Sequence, residues 1–133
     1  MTEIFADTSA LYALLDRSDR IHRAAVAAFD ALDRETAQLV SSSYVLLETV
    51  SLVQARLGVA AVRTWREAFE PLLDIVWIDA DVHARGLVAL TSAGRRRISL
   101  TDWTSFEVMR ARHMTTAFAF DPHFRTQGFK LLA

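Results

Sequence analysis

Residues 3–11 read EIFADTSAL. Ile4, Phe5 and Ala6 make a short unbroken apolar run, and the run stops on Asp7. A strand that is apolar on both faces belongs to a parallel sheet covered on both sides. A carboxylate set directly against such a strand is costly unless something compensates its charge. The stretch poses two questions: which sheet it belongs to, and what pairs with Asp7.

The rest of the chain answers the first. Further short apolar runs occur at AQLVS (37–41), DIVWI (74–78), TAFAF (116–120) and, weakly, KLL (130–132). Helical patterns lie between them, over 8–16, 21–35, 43–57, 59–72, 80–93 and 102–113, with a short turn at 122–127. Strands interleaved with helices predict an α/β fold, a small α/β/α sandwich around a central, mostly parallel sheet of about five strands. No repeat, linker or low-complexity tract divides the 133 residues, so a single domain is expected over 1–133. The segment 43–57 is apolar nearly all round, through Tyr44, Val45, Leu46, Leu47, Val50, Leu52 and Val53. A helix of that kind is expected to be buried on every side. In so small a domain this calls for a partner subunit, and a homodimer is expected.

Composition excludes several classes of function. The chain has no cysteine, which removes disulfide scaffolds, thiolate catalysis and cysteine-ligated zinc. Its net charge of −1 gives no global attraction to nucleic acid, so any polyanion contact must be local. Fourteen of the fifteen basic residues are arginine and Lys130 is the only lysine, which excludes mechanisms needing a lysine inside the fold. The acidic start MTEIFADTSA is no signal peptide, and no apolar run approaches the ~18–20 residues of a membrane span. A cytoplasmic address and no membrane partner are expected.

Four acids stand where ligands bind in open α/β sheets, at the carboxyl ends of strands. Asp7 follows the first strand, Asp121 follows TAFAF, Asp102 opens a helix after ISLT, and Glu48 interrupts the apolar helix. Each has a structural reading too. Asp121 before Pro122 is a helix start, Asp102 a first-turn acid, and Asp7 a cap for the helix that follows. Glu48 resists such a reading, because Ser51 and Ala55 are the nearest members of its face. Clustered carboxylates ionise together only with cations present, and hard divalent ions such as Mg²⁺ and Mn²⁺ favour oxygen donors. A metal is the provisional counter-charge for Asp7.

The order ADTSAL, LLETVSLV, ISLTDWTSFEVM, AFAFDPHFRTQGF resembles the PIN-domain ribonucleases, and most closely the VapC-type toxins of bacterial toxin–antitoxin pairs. The resemblance covers essentially the whole chain. It implies metal-dependent hydrolysis of RNA with Mg²⁺ (or Mn²⁺), one or two ions, held by Asp7, Asp102 and Asp121, with Glu48 either a further ligand or the group orienting the attacking water. It places Ser9 near the metal and His22 at the opening of the second helix. It also implies a small antitoxin whose C-terminal tail crosses the cleft. Trp103 departs from the small residue that many relatives carry after the third acid, and it either narrows the cleft or packs beneath it.

Beside the acids, Arg95, Arg96 and Arg97 are either a solvated turn or a phosphate-binding run. His123, two residues past Asp121, is either a structural residue of a helix start or a substrate contact. Trp103, Phe106 and Phe124 are core residues or base-stacking platforms. A receiver domain would need paired acids after the first strand and an interior lysine, and a haloacid-dehalogenase-like phosphatase would need D-x-D there; the chain has neither. The remaining rival is a catalytically inactive PIN-like module that binds RNA or protein.

Overall fold

The computed structural model describes residues 1–132. Five strands form one sheet: β1 (Thr2–Ala6), β2 (Ala37–Ser42), β3 (Leu73–Val76), β4 (Thr116–Phe118) and β5 (Lys130–Leu131). Their order is β3-β2-β1-β4-β5 and every pairing is parallel. All carboxyl ends therefore meet at one rim. The expected sandwich is present, with the sheet wholly rather than mostly parallel. Phe5 of β1 lies opposite Ala117 of β4 and Ala6 opposite Phe118, so two strands more than a hundred residues apart in sequence are neighbours at the centre.

The helices are α1 (Thr8–Leu15), α2 (His22–Asp30), α3 (Ser43–Leu57), α4 (Val59–Thr64), α5 (Ala80–Ala93), α6 (Leu100–Ala111) and the single turn α7 (His123–Thr126). After α4 the chain widens into a π turn at Trp65–Phe69 and tightens at Glu70–Leu72. The wider turn lets Trp65 stack on Phe69 with centroids 6.3 Å apart, burying the indole almost completely. Phe5, Phe106, Phe118 and Phe124 are fully buried, and Phe106 meets Phe124 edge to face at 5.0 Å, a favoured aromatic geometry. No helix among the described residues is long and apolar enough to cross a membrane.

α3 corrects one expectation. Ser42 caps it by accepting a hydrogen bond from the Val45 amide at 3.2 Å, and Gly58, at φ +89°, ends it. The helix is not buried on every side: Val45, Thr49 and Val53 are inside, whereas Leu47 is 68 % exposed and Ser51 and Ala55 lie open. Apolar composition predicted burial, but a sheet covers only one face of a helix. The outward face is left apolar at Leu47.

Candidate active site

Three of the four acids are placed by local capping or turn contacts, whereas Glu48 stands within α3. Asp7 leaves β1 in extended backbone and becomes the N-cap of α1. Its amide donates to the Phe118 carbonyl at 3.0 Å, continuing the β1–β4 ladder by one residue. Its Oδ2 accepts from the Ser9 amide at 3.1 Å and from Ser9 Oγ at 2.7 Å. That same Ser9 hydroxyl accepts from the Phe120 amide at 2.9 Å, so one serine ties the first acid to the segment carrying the last. Asp121 in turn accepts from the His123 amide at 2.9 Å. Asp102 completes a capping box on α6: Ser99 Oγ accepts from the Asp102 amide at 3.1 Å, and the Asp102 carboxylate accepts from the Ser99 amide at 3.2 Å. The structural readings of Asp7 and Asp102 are thus correct and do not compete with a chemical role. Asp121 is not the cap expected of it: Pro122 occupies the N-cap of α7 and Asp121 closes the turn before it.

The four acids converge. Asp7, Glu48, Asp102 and Asp121 all line one pocket of about 440 Å³ at the carboxyl rim, together with Ser9, Tyr12, Asp19, Leu52, Arg56, Arg97 and Ser99. Beneath it, Thr49 Oγ1 donates to Thr8 Oγ1 at 3.3 Å and fixes α3 against α1. Burial pushes the Asp7 carboxyl up to about 7; Ser9 opposes this, and the nearby charges of Asp102 and Glu48 add to it. Asp102 is pushed up to about 6, again first by burial and then by Asp121 and Glu48. Ser9 therefore answers only part of the question Asp7 posed. No cationic side chain figures among the influences on either carboxyl.

The donor chemistry fits a hard divalent cation. The pocket offers carboxylate oxygens and hydroxyls, with no thiolate or imidazole among its lining residues. Among the described residues no three His, Asp or Glu side chains stand close enough together to hold a metal ion as a group. Mg²⁺ needs no such group, since it keeps several of its waters and takes one or two carboxylates directly.

Several residues named from sequence lie elsewhere. Arg97 is on the pocket wall, but Arg95 and Arg96 line a separate hollow with Leu90, Thr91 and Gly94. His123 does not line the pocket; its Nε2 stands 3.8 Å from Asp121 Oδ1. His22 lies outside too, with Nδ1 2.6 Å from the Ala13 carbonyl. Trp103 is 7 % exposed and packs edge to face on Phe106, beneath the cleft rather than across it. With Phe106 and Phe124 fully buried, none of these three rings reaches a base. Conversely, Tyr12, Asp19 and Arg56 line the pocket although the sequence reading passed over them. The signal was there for Arg56: Glu48, Leu52 and Arg56 repeat every four residues and share one face of α3.

A model of the PIN domain matches residues 4–130. The chain belongs to the PIN-domain family. It is 32 % identical over 127 residues to the 23S rRNA-specific endonuclease VapC20 of Mycobacterium tuberculosis, covering 95 % of each chain. The crystal structure of that sarcin–ricin-loop-cleaving toxin superposes with a TM-score of 0.84 at 31 % identity, again over 95 % of each chain. VapBC2 from Rickettsia felis bound to promoter DNA gives 0.72 at 15 % identity, over 98 % of this chain and 97 % of that one. FitAcB from Neisseria gonorrhoeae gives 0.69 at 19 % identity, over 96 % and 95 %. These last two likenesses concern the PIN-domain fold.

Proposed function

We propose that this PIN-domain chain, acting as one nuclease unit, is a metal-dependent endoribonuclease and the toxin of a toxin–antitoxin pair. The observation that carries the reading is the convergence of four carboxylates from four separate elements on one pocket, two of them held far above the ordinary carboxylate range by burial and mutual repulsion. The 32 %-identical relative, named for cutting 23S rRNA, supports RNA as the substrate.

In this reading Asp7, Asp102 and Asp121 hold Mg²⁺ or Mn²⁺, as one ion or two, and Glu48 either joins them or orients the attacking water. A bound divalent ion supplies Lewis-acid polarisation of a phosphoryl oxygen and acidification of water. The protein contributes geometry. Ser9 fixes the Asp7 carboxylate and holds the Phe120 backbone, Ser99 fixes Asp102, and the sheet register sets the distance between Asp7 and Asp121. Water adds to phosphorus, the bond to the leaving sugar oxygen breaks, and Arg97 on the wall meets the phosphate charge. Arg95, Arg96 and His123 would touch RNA only where it extends beyond the pocket.

Two partners complete the proposal. A small antitoxin is supported by the relative's being a toxin. A homodimer is supported by the exposed apolar side chains of Leu47, Trp77, Leu87 and Val88 on α3, before α5 and on α5. An RNA substrate sets the reaction in the cytoplasm.

The test is cleavage of total ribosomal RNA by the purified chain with Mg²⁺ or Mn²⁺, beside EDTA and an Asp7→Asn, Asp102→Asn double variant. Discrete metal-dependent fragments absent from the variant are expected, and mapping their ends locates the cut. A chain that neither cuts RNA nor binds Mn²⁺ is an inactive binding module.

A further inference from the structure

The pocket carries cations as well as acids, and one of them is built into place. Arg56 sits in the last turn of α3 with its guanidinium carbon 5.2 Å from the centre of the Tyr12 ring, within the range of a cation–π contact. Tyr12 is itself fixed. Its ring is buried, and its hydroxyl donates to Asp16 Oδ2 at 2.7 Å. Asp16 is held in turn by the Ser18 amide at 3.0 Å and the Ser18 hydroxyl at 2.6 Å. An exposed arginine ordinarily surrenders rotamer freedom when it binds; this one rests on a ring that is already anchored.

Its charge acts on the Tyr12 hydroxyl and the Asp16 carboxyl beside it but is locked in no ion pair. Among the described residues, no carboxylate lies within 4.0 Å of the Arg56 nitrogens. Arg56 also does not figure among the influences on the Asp7 or Asp102 carboxyls. It is a pocket-lining cation that the acid cluster does not consume. Its place on α3 sets its distance from the chemistry: it lies eight residues past Glu48, about two turns or ~12 Å along the axis. Leu52 forms the floor between the two. Along α3 the cleft therefore presents the Glu48 carboxylate at one point and a planar cation about two turns further on.

We propose that Arg56, positioned by the Tyr12–Asp16 pair, binds a backbone phosphate of the RNA flanking the one that is cut, and so sets the register of the strand in the cleft. The role rests on the nuclease reading above. Arginine suits it because its guanidinium grips phosphate bidentately while its flat face stays on the tyrosine. Lysine would keep the charge but lose the bidentate grip and the flat face that stacks on the ring.

The test uses the full-length chain and a synthetic oligoribonucleotide spanning the site mapped in ribosomal RNA. Arg56→Gln is expected to raise KM about ten-fold while kcat changes less than two-fold, the mark of lost uniform binding. The salt dependence of binding should become shallower by about 0.7 in log–log slope, as for one phosphate contact on a single strand. Arg56→Lys should restore the slope and only part of the KM. Replacing the phosphates one at a time by neutral methylphosphonate should reveal one flanking position that weakens wild-type binding and leaves Arg56→Gln binding unchanged. That coupling is what a merely structural arginine would not show. If wild type cuts the oligonucleotide and Arg56→Gln matches it in KM, slope and methylphosphonate profile, the role is overturned while the nuclease reading stands. If wild type neither cuts RNA nor binds Mn²⁺, both fall together.

Discussion

Asp7→Asn separates the cost of the first acid from its use. The wild-type carboxyl moves from an ordinary 3.8 up to about 7 on folding, chiefly through burial. A group whose folded pKa is raised contributes stability that is fully present below its unfolded pKa and is lost as pH rises through the folded one. Without metal, the loss therefore runs from about pH 4 to above pH 7. Each pKa unit is worth about 1.4 kcal/mol, so by pH 8 this one side chain costs roughly 4 kcal/mol. Asparagine keeps the oxygen that accepts from Ser9, remains a good N-cap and never ionises. In EDTA at pH 8 the variant should melt above wild type by about 14 °C, from roughly 4 kcal/mol spread over the unfolding entropy of a chain this size. By pH 4 the two melts should coincide. Mn²⁺ should reverse the order at pH 8, raising the wild-type melt and leaving the variant unmoved, because only an occupied site rewards the buried charge. Differential scanning calorimetry at several pH values, with and without Mn²⁺, reads all three. A variant that melts below wild type at pH 8, by an amount independent of pH, would refute the argument that Asp7 is a charge awaiting a counter-ion.

The remaining predictions concern the neighbours of that charge. Glu48→Gln, Asp102→Asn and Asp121→Asn should each lower kcat/KM for RNA at least about 100-fold, near 2.7 kcal/mol of barrier; a variant within ten-fold of wild type removes that acid from the mechanism. Ser9→Ala deprives Asp7 of the hydroxyl that opposes its raised pKa and frees the Phe120 amide. It should weaken Mn²⁺ binding by about 10-fold or more in calorimetric titration, as loss of a ligand's supporting hydrogen bond does elsewhere. Gly86→Ala should lower the melting temperature by several degrees. Its Cβ would lie 2.6 Å from Thr104 Cγ2, and Thr104 is held there by its hydroxyl on the Leu100 and Thr101 carbonyls. Overpacking of about 1–3 kcal/mol then exceeds the ~1 kcal/mol gained in helix propensity.

Much of the fold was legible because its signals are local. α3 begins and ends where Ser42 and Gly58 say it should, and the alternation of short apolar runs with helices fixed the class of sheet. The break of the fourth helix into a π turn was not legible, because burial of Trp65 against Phe69 is a tertiary demand with no periodic trace. The start of α6 at Leu100 rather than Asp102 is different: Ser99 caps it through a capping box with Asp102, a local signal that a reading begun at Asp102 passes over. For the site, the acids stood out as charges where strands end. The arginines did not sort themselves: a loop has no period, so nothing in GRRRIS says that Arg97 turns inward and Arg95 and Arg96 away. Arg56 was hidden by distance, since eight residues along a helix do not look adjacent in a sequence.

The hydrogen bond from the Asp7 amide to the Phe118 carbonyl joins segments 111 residues apart in sequence. The strand bearing the first acid is made well before its partner. Until β4 docks, Asp7 and Asp121 have no common edge, and Ser9 has no Phe120 amide to hold. The pocket is therefore complete only once two strands more than a hundred residues apart have found each other, so whatever holds them apart also keeps the acids apart.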